Sequence, residues 1–227
     1  MRVQLLFAAR GGCTDALFDR LDDEGRRAKA ASASARVIGL TQVADDVFPL
    51  ANPLGRPFEA VLELQTPSTN DGDALVGALS GTVDRFDDVI HRDLSGVLVG
   101  IPHEIIPTAP TAVRYLYLMR RKSTHSREQY YDYYFKNHSR FGHRTPGIAG
   151  YTQFHVDDAR SRAAASTLGV GTWGADSVSE LHLNSTAEFF AALATAPTLG
   201  DEAGADEELF VDRTNSKSFT TDTRFIL

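Results

Sequence analysis

His138 has the side chain best suited to proton chemistry, because imidazole has an unperturbed pKa that lets it both take and give a proton near neutrality. It stands within residues 126–157, SREQYYDYYFKNHSRFGHRTPGIAGYTQFHVD, where aromatic rings and imidazoles are concentrated. Tyr130, Tyr133, Tyr134, Asn137, His138 and Phe141 recur at three- and four-residue intervals, the spacing of one helical face. Tyr151 and His155 fall on one side of a strand expected over residues 148–157. In the catalytic reading, His138 moves protons with His155 and the Tyr133 hydroxyl as partners. Tyr130, Tyr134, Tyr151 and Phe141 then wall an apolar pocket whose hydroxyls hold a phenol, lactone or enol oxygen. Glu180 and His182 share a face of a later strand and are candidates for the same site, as is Trp173, the only tryptophan, in a glycine-rich loop able to close over a ligand. Each has a plainer alternative. His138 could cap helix carbonyls or pack in the core, the tyrosines could be a core cluster, Glu180 and His182 could be solvated, and His155 could face a sheet-to-sheet interface.

The elements that must hold these residues are legible in outline. Ser126 followed by Gln129 has the form of a capping box, so a helix is expected from Arg127, and Pro146-Gly147 must stop it. Near the C-terminal end of that helix, unpaired carbonyls would favour the imidazolium form of His138 and make it a proton donor at the start. The preceding half of the chain predicts strands at residues 2–9, 36–43, 58–64 and 97–101, helices from Thr14-Asp15 and over 71–90, and a Pro/Gly loop at 49–57. Three prolines mark residues 102–110 as a linker. The same order then repeats, with strands at 114–119, 148–156, 177–183 and within 210–218, and helices at 127–142 and 186–196. Two βαββαβ units imply an α+β fold of tandem ferredoxin-like repeats, residues 1–101 and 112–227 joined by 102–111, forming an intrachain pseudo-dimeric α+β barrel. Leu40-Thr41-Gln42-Val43 also echoes Tyr151-Thr152-Gln153-Phe154. The first half has no match to His138 or His155, so it reads as a structural partner, although His91 or His103 could reach a shared site.

The pattern Tyr130-x-x-Tyr133-Tyr134-x-x-x-His138, then Pro-Gly, then Tyr151-x-x-x-His155-Val156-Asp157, resembles the EthD domains of the dimeric α+β barrel superfamily. Tyr130 stands where that family usually has Phe and Tyr134 where it has Trp, while Tyr133 and His138 match. Residues 177–183 and 210–213 resemble the family's third and fourth strands. The resemblance implies the barrel fold and chemistry that varies among relatives: lactone isomerases, polyketide cyclases, cofactor-free monooxygenases and haem enzymes.

Composition narrows the classes further. With 23 basic and 30 acidic residues the formal charge is −7, and Arg120-Arg121-Lys122 is too short a cluster for a nucleic-acid footprint. One cysteine, Cys13, excludes an intrachain disulfide and a cysteine metal cage and fits a cytoplasmic setting. The first apolar run is too short for a membrane span. His138 and His143 are five apart, poor spacing for metal ligands on a helix, and no metal is expected. The Gly169–Gly174 loop lacks a dinucleotide fingerprint, and no G-x-S-x-G elbow is present. The expected function is a cofactor-independent isomerase, dehydratase or lyase, cyclase or decarboxylase acting on a small aromatic, lactone or polyketide-like molecule, with catabolism one setting and a homodimer left open. The alternatives are a non-catalytic ligand-binding or stress-associated barrel and a haem protein.

Overall fold

A computed structural model describes residues 1–44, 46 and 58–227, and the expected loop at 49–57 lies outside them. The first half supplies β1 (Arg2–Phe7), α1 (Thr14–Ala31), β2 (Arg36–Gln42), β3 (Ala60–Gln65), α2 (Gly72–Ala78), α3 (Thr82–Arg85) and β4 (Gly96–Ile106). The second supplies β5 (Val113–Met119), α4 (Arg127–Tyr133), a π-helical turn (Tyr134–His138), α5 (Ser139–Arg144), β6 (Gly150–Val156), α6 (Asp158–Leu168), β7 (Ser177–Leu183), α7 (Thr186–Leu193), α8 (Leu199–Phe210) and β8 (Lys217–Ile226).

The strands close into one antiparallel barrel in the order β1-β3-β2-β8-β5-β7-β6-β4. Each half contributes four neighbours in the same order, with its fourth strand beside its first, then its third, then its second. The seams are β4 with β6 and β2 with β8. Closure gives every described strand a neighbour on both sides, which limits unpaired backbone groups in an all-antiparallel sheet. Along each strand one residue set points into the barrel and the next points out to the helices. Inside, Leu6, Leu40, Leu98, Leu118, Phe154 and Phe219 belong to one buried cluster. Outside, α1, α2 and α6 cover the first half through Leu17, Leu21, Leu75 and Ala165, and α4 and the π turn cover the second through Tyr130 and Tyr134.

Several boundaries differ from expectation, each for a physical reason. The helix expected over 71–90 breaks into α2 and α3 because Gly81 adopts a left-handed φ of 70° between them. Residues 102–106 are strand, not linker: β1 pairs with β4 only as far as Gly100, so Pro102 sits on a stretch open on that side, where a strand tolerates proline, and pairs with Phe154 on the other. Residues 210–218 do not form the last strand. Phe210 ends α8, residues 213–215 make a 3-10 turn, and β8 begins at Lys217. Helices α6 and α8 lie in stretches with no clear apolar period.

The capping box at Ser126 is present in both directions, with Gln129 N donating to Ser126 Oγ at 3.1 Å and Ser126 N donating to Gln129 Oε1 at 2.8 Å. The helix it starts runs through the π turn and on to Arg144, so His138 lies six residues before its end. Among the described residues, no helix is long and apolar enough to cross a membrane.

Candidate active site around His138

The π turn is one residue wider than an α turn, a local irregularity often found where side chains are re-aimed for function. Here it holds Tyr134 and His138. His138 is 7% exposed, with its ring 5.2 Å from both Phe141 and Phe210. Its Nδ1 lies 2.8 Å from Asp206 Oδ2 on α8. Tyr133 donates its hydroxyl to the other Asp206 oxygen at 3.0 Å, and Arg140 Nη2 donates to the same oxygen at 2.6 Å. Burial opposes the Asp206 charge, but the bonds from His138 and Tyr133 outweigh it and hold the carboxyl below its usual range. An ionised Asp206 accepts the Nδ1–H, which leaves the lone pair on Nε2.

Burial outweighs the pull of Asp206 and lowers the His138 pKa. The ring is therefore neutral at pH 7 and suited to accept a proton first, which reverses the expectation of an initial imidazolium donor. The helix-terminal carbonyls on which that expectation rested lie further on. Nε2 is 3.9 Å from Glu207 Oε1. Burial pushes the Glu207 carboxyl up to about 7, against the opposing effect of Arg213. A neutral imidazole with an orienting carboxylate on one nitrogen and a carboxyl titrating near neutrality by the other can take up a proton and pass it on.

The tyrosines expected to wall a pocket are divided. Tyr130, Tyr134 and Tyr151 are each at most 2% exposed, and their hydroxyls are used internally. Tyr130 bonds Ser177 at 2.6 Å, Tyr151 donates to Tyr134 at 3.3 Å, and Gln153 Nε2 donates to the Tyr151 hydroxyl at 3.0 Å. A Cβ on Gly142 would lie 2.2 Å from the Tyr151 ring, so α5 approaches β6 as closely as it does only because that residue is glycine. Phe141 is buried beneath Arg140 and Arg144 and packs on His138.

His155 faces the helices but opens elsewhere. It stacks on Tyr131 at 4.4 Å and lies 4.4 Å from the ring of His103, a first-half residue. These side chains line a groove of about 590 Å³ with Ile101, Arg127 and Arg160. The Tyr134 ring stands between the two histidines, 5.9 Å from His138 and 5.8 Å from His155. Trp173 is at one barrel end, under Arg120 at 4.9 Å, beside a second cavity of about 490 Å³. Glu180 and His182 point into the barrel, through the sheet from His138: Glu180 bonds Arg2 and His182 bonds Thr152.

The structure thus gathers His138, Tyr133 and Phe141 and separates them from Trp173, Glu180 and His182. Sequence reasoning missed Asp206, Glu207 and Arg140. The acidic run at 206–208 was visible, but in a stretch without a helical stripe. Among the described residues, no group of three or more His, Cys, Asp or Glu side chains is arranged to hold a metal ion.

The closed barrel with helices on its outer face is similar to the dimeric α+β barrel fold. Residues 122–214, the part of the chain that holds His138, Asp206 and Glu207, match the model of the EthD domain. Solved structures share the architecture at low identity. An anthrone oxidase-like protein is 12% identical with a TM-score of 0.65, over 100% of this chain and 91% of that one. A "putative monooxygenase" from Lactobacillus acidophilus NCFM is 10% identical with a TM-score of 0.54, over 99% and 93%. A mutant chlorite dismutase from Candidatus Nitrospira defluvii, in complex with cyanide, is 9% identical with a TM-score of 0.51, over 99% and 90%. No curated protein matches the sequence.

Proposed function

We propose that this protein is a cofactor-independent enzyme in which His138 acts as general base on a small aromatic, lactone or polyketide-like molecule bearing an acidic C–H or O–H beside a carbonyl. The observation that carries this reading is the 2.8 Å bond from His138 Nδ1 to Asp206, which orients the ring and leaves Nε2 as acceptor. Nε2 takes the substrate proton, and Asp206 stabilises the imidazolium that forms. Tyr133 and Arg140 keep Asp206 ionised, and Glu207 offers a second proton carrier beside Nε2. The enolate-like anion left on the substrate is the common starting point for isomerisation, cyclisation and loss of water. It is also electron-rich enough to react with an oxidant, which accords with the names of the anthrone oxidase-like and monooxygenase relatives. The test is turnover of lactones, phenols and anthrones by the parent and by His138→Ala. Equal rates with equal pH dependence would remove His138 from the chemistry.

Against a haem on His138 stand two features of the site. Asp206 occupies Nδ1, and Tyr130, Tyr134, Tyr151 and Phe210, none above 2% exposed, fill the space between helix and sheet. A Soret band in the purified protein would overturn that assessment.

One observation favours a second reading, a binding protein without turnover: the 590 Å³ groove at His103, Tyr131 and His155, which is large enough for a small aromatic molecule and does not include His138. Calorimetric binding without product formation would select it.

The strand registers support reading residues 1–101 and 112–227 as copies of one βαββαβ unit, the first kept as a structural partner. Arg2 faces Gln65 and Gln4 faces Glu63 across β1 and β3, while Arg114 faces His182 and Leu116 faces Glu180 across β5 and β7. The sequence echo of Leu40 with Tyr151 does not follow this symmetry. Ile38 faces Glu63 and Thr152 faces Glu180, so the counterpart of Leu40 is Phe154.

A further inference from the structure

The charged residues inside the barrel follow one scheme twice, and the second copy lacks one acceptor. In each half the arginine of the first strand reaches across the barrel to the glutamate on the third strand of the other half. Arg2 Nη1 bonds both oxygens of Glu180 at 2.7 Å, and Arg114 Nη1 lies 3.3 Å from both oxygens of Glu63. The remaining donors of Arg2 are met by its cross-strand neighbour Gln65, whose Oε1 accepts from Nε at 3.1 Å and from Nη2 at 2.9 Å. The cross-strand neighbour of Arg114 is His182, which offers no such acceptor. Its Nε2 is engaged by Thr152 Oγ at 3.2 Å, and both His182 Nδ1 and Arg114 Nε are buried without a hydrogen-bond partner. Orphaned polar atoms on groups this buried, 7% and 2% exposed, are costly, and the Arg114 N–H calls for an acceptor.

Both side chains line a small cavity of about 20 Å³ at this end of the barrel, together with Arg2, Arg36 and Thr152. Arg36 donates to Gln65 at 3.2 Å, and among the described residues no carboxylate lies within 4.0 Å of it. Glu104 stands at the exposed rim, where solvent screens it. His182 is neutral, held at about 3 by burial and by Arg114 and Arg2. Where Thr152 donates to Nε2, the ring proton is on Nδ1. The Arg114 N–H, the facing His182 nitrogen, a guanidinium with no carboxylate in direct contact among the described residues and room for about one water-sized particle point to a small anion.

We propose that this cavity binds one monovalent anion of halide size, held by Arg114 Nε–H and His182 Nδ1–H and attracted by Arg36, in the place that the Gln65 amide oxygen fills in the other half. The site is on the inner side of the sheet, separate from His138, and does not depend on the acid–base reading.

The experiment compares sodium bromide with sodium gluconate at equal ionic strength, using thermal unfolding and anomalous diffraction from bromide-soaked crystals. The expected result is a saturable rise in the unfolding midpoint specific to bromide, about 3–6 °C at ten times the dissociation constant. An anomalous peak is expected within hydrogen-bonding reach of Arg114 Nε and His182 Nδ1. His182→Gln recreates the arrangement of the other half, so both the peak and the bromide-specific rise should vanish while the midpoint in gluconate is kept or raised. If His182→Gln does not fold, Arg36→Gln at the rim should weaken bromide binding about tenfold or more. No peak and no bromide-specific rise in the parent protein, which would mean that water fills the cavity, overturns the proposal. So does a peak retained in His182→Gln, or an unchanged dissociation constant in Arg36→Gln.

Discussion

Arg2 and Glu180, 178 positions apart in sequence, form a bidentate pair inside the barrel, with Nη1 2.7 Å from each carboxylate oxygen and side chains 2% and 0% exposed. Burying two charges this deeply is costly, and the pair holds only because Gln4 and Gln65 complete its hydrogen bonds. Removing one partner leaves the other charge unmatched. Glu180→Gln is therefore expected to cost about 3–5 kcal/mol in urea unfolding, and the double change Arg2→Met with Glu180→Leu to recover part of that loss. A single-mutant cost below about 1 kcal/mol would show that water reaches this end of the barrel.

For the chemistry, His138→Ala is expected to keep the fold, read by circular dichroism, and to lower kcat/KM by about 10²–10⁴ on any substrate found. Because His138 must be neutral to accept a proton, activity should rise with pH through a pKa below the usual 6.5 and then level. The Asp206 bond raises that pKa, so Asp206→Asn should move the acidic limb to lower pH as well as reduce the rate. A limb that stays in place in Asp206→Asn would detach the carboxylate from the base.

The stability of the fold should fall in mild acid, and His155 is one reason. Burial, with His103 adding to it, pushes its pKa to about 3, while the unfolded chain takes up the proton at about 6.5. Its contribution is thus complete above about pH 6.5 and is lost progressively as pH falls towards 3. His182 acts in the same sense. Urea unfolding between pH 4 and 7 should show a shallower slope in His155→Gln than in the parent, and identical slopes would place the imidazole in water.

Glu207 acts in the opposite direction. Its carboxyl titrates at about 7 when folded, against about 4.3 when unfolded. The stabilisation is present below the unfolded value and lost as pH rises through 7. Glu207→Gln should remove this loss and be more stable than the parent at pH 8, by up to about 3 kcal/mol. A variant less stable than the parent at pH 8 would show that the Glu207 carboxylate is favourably paired with Arg213.

What could be read from the sequence follows the strength of local signals. The helix at Arg127 was legible because Ser126 and Gln129 declare its start, and the strands because apolar and polar residues alternate. Helix α6, rich in alanine and serine, and α8, with Gly200, Gly204 and an acidic run, present no stripe of period 3.6, so Asp206 was hidden with them. The face of each strand was the harder question. Tyr151 with His155, and Glu180 with His182, share faces as expected, but one pair points outward and the other inward, and only barrel closure decides which. The π turn has no sequence marker that we can identify, yet it sets where the His138 ring points.

Strand β8 seals the barrel by pairing with β2 on one side and β5 on the other. During synthesis both of those strands therefore lack this neighbour until β8 has been made. A ribosome-bound intermediate is a sheet with sticky margins, the form most exposed to pairing with a neighbouring nascent chain. Yield in the cell should then depend on how quickly the segment from Lys217 to Ile226 arrives and zips, and a chaperone that shields strand edges would act on this protein before any ligand does.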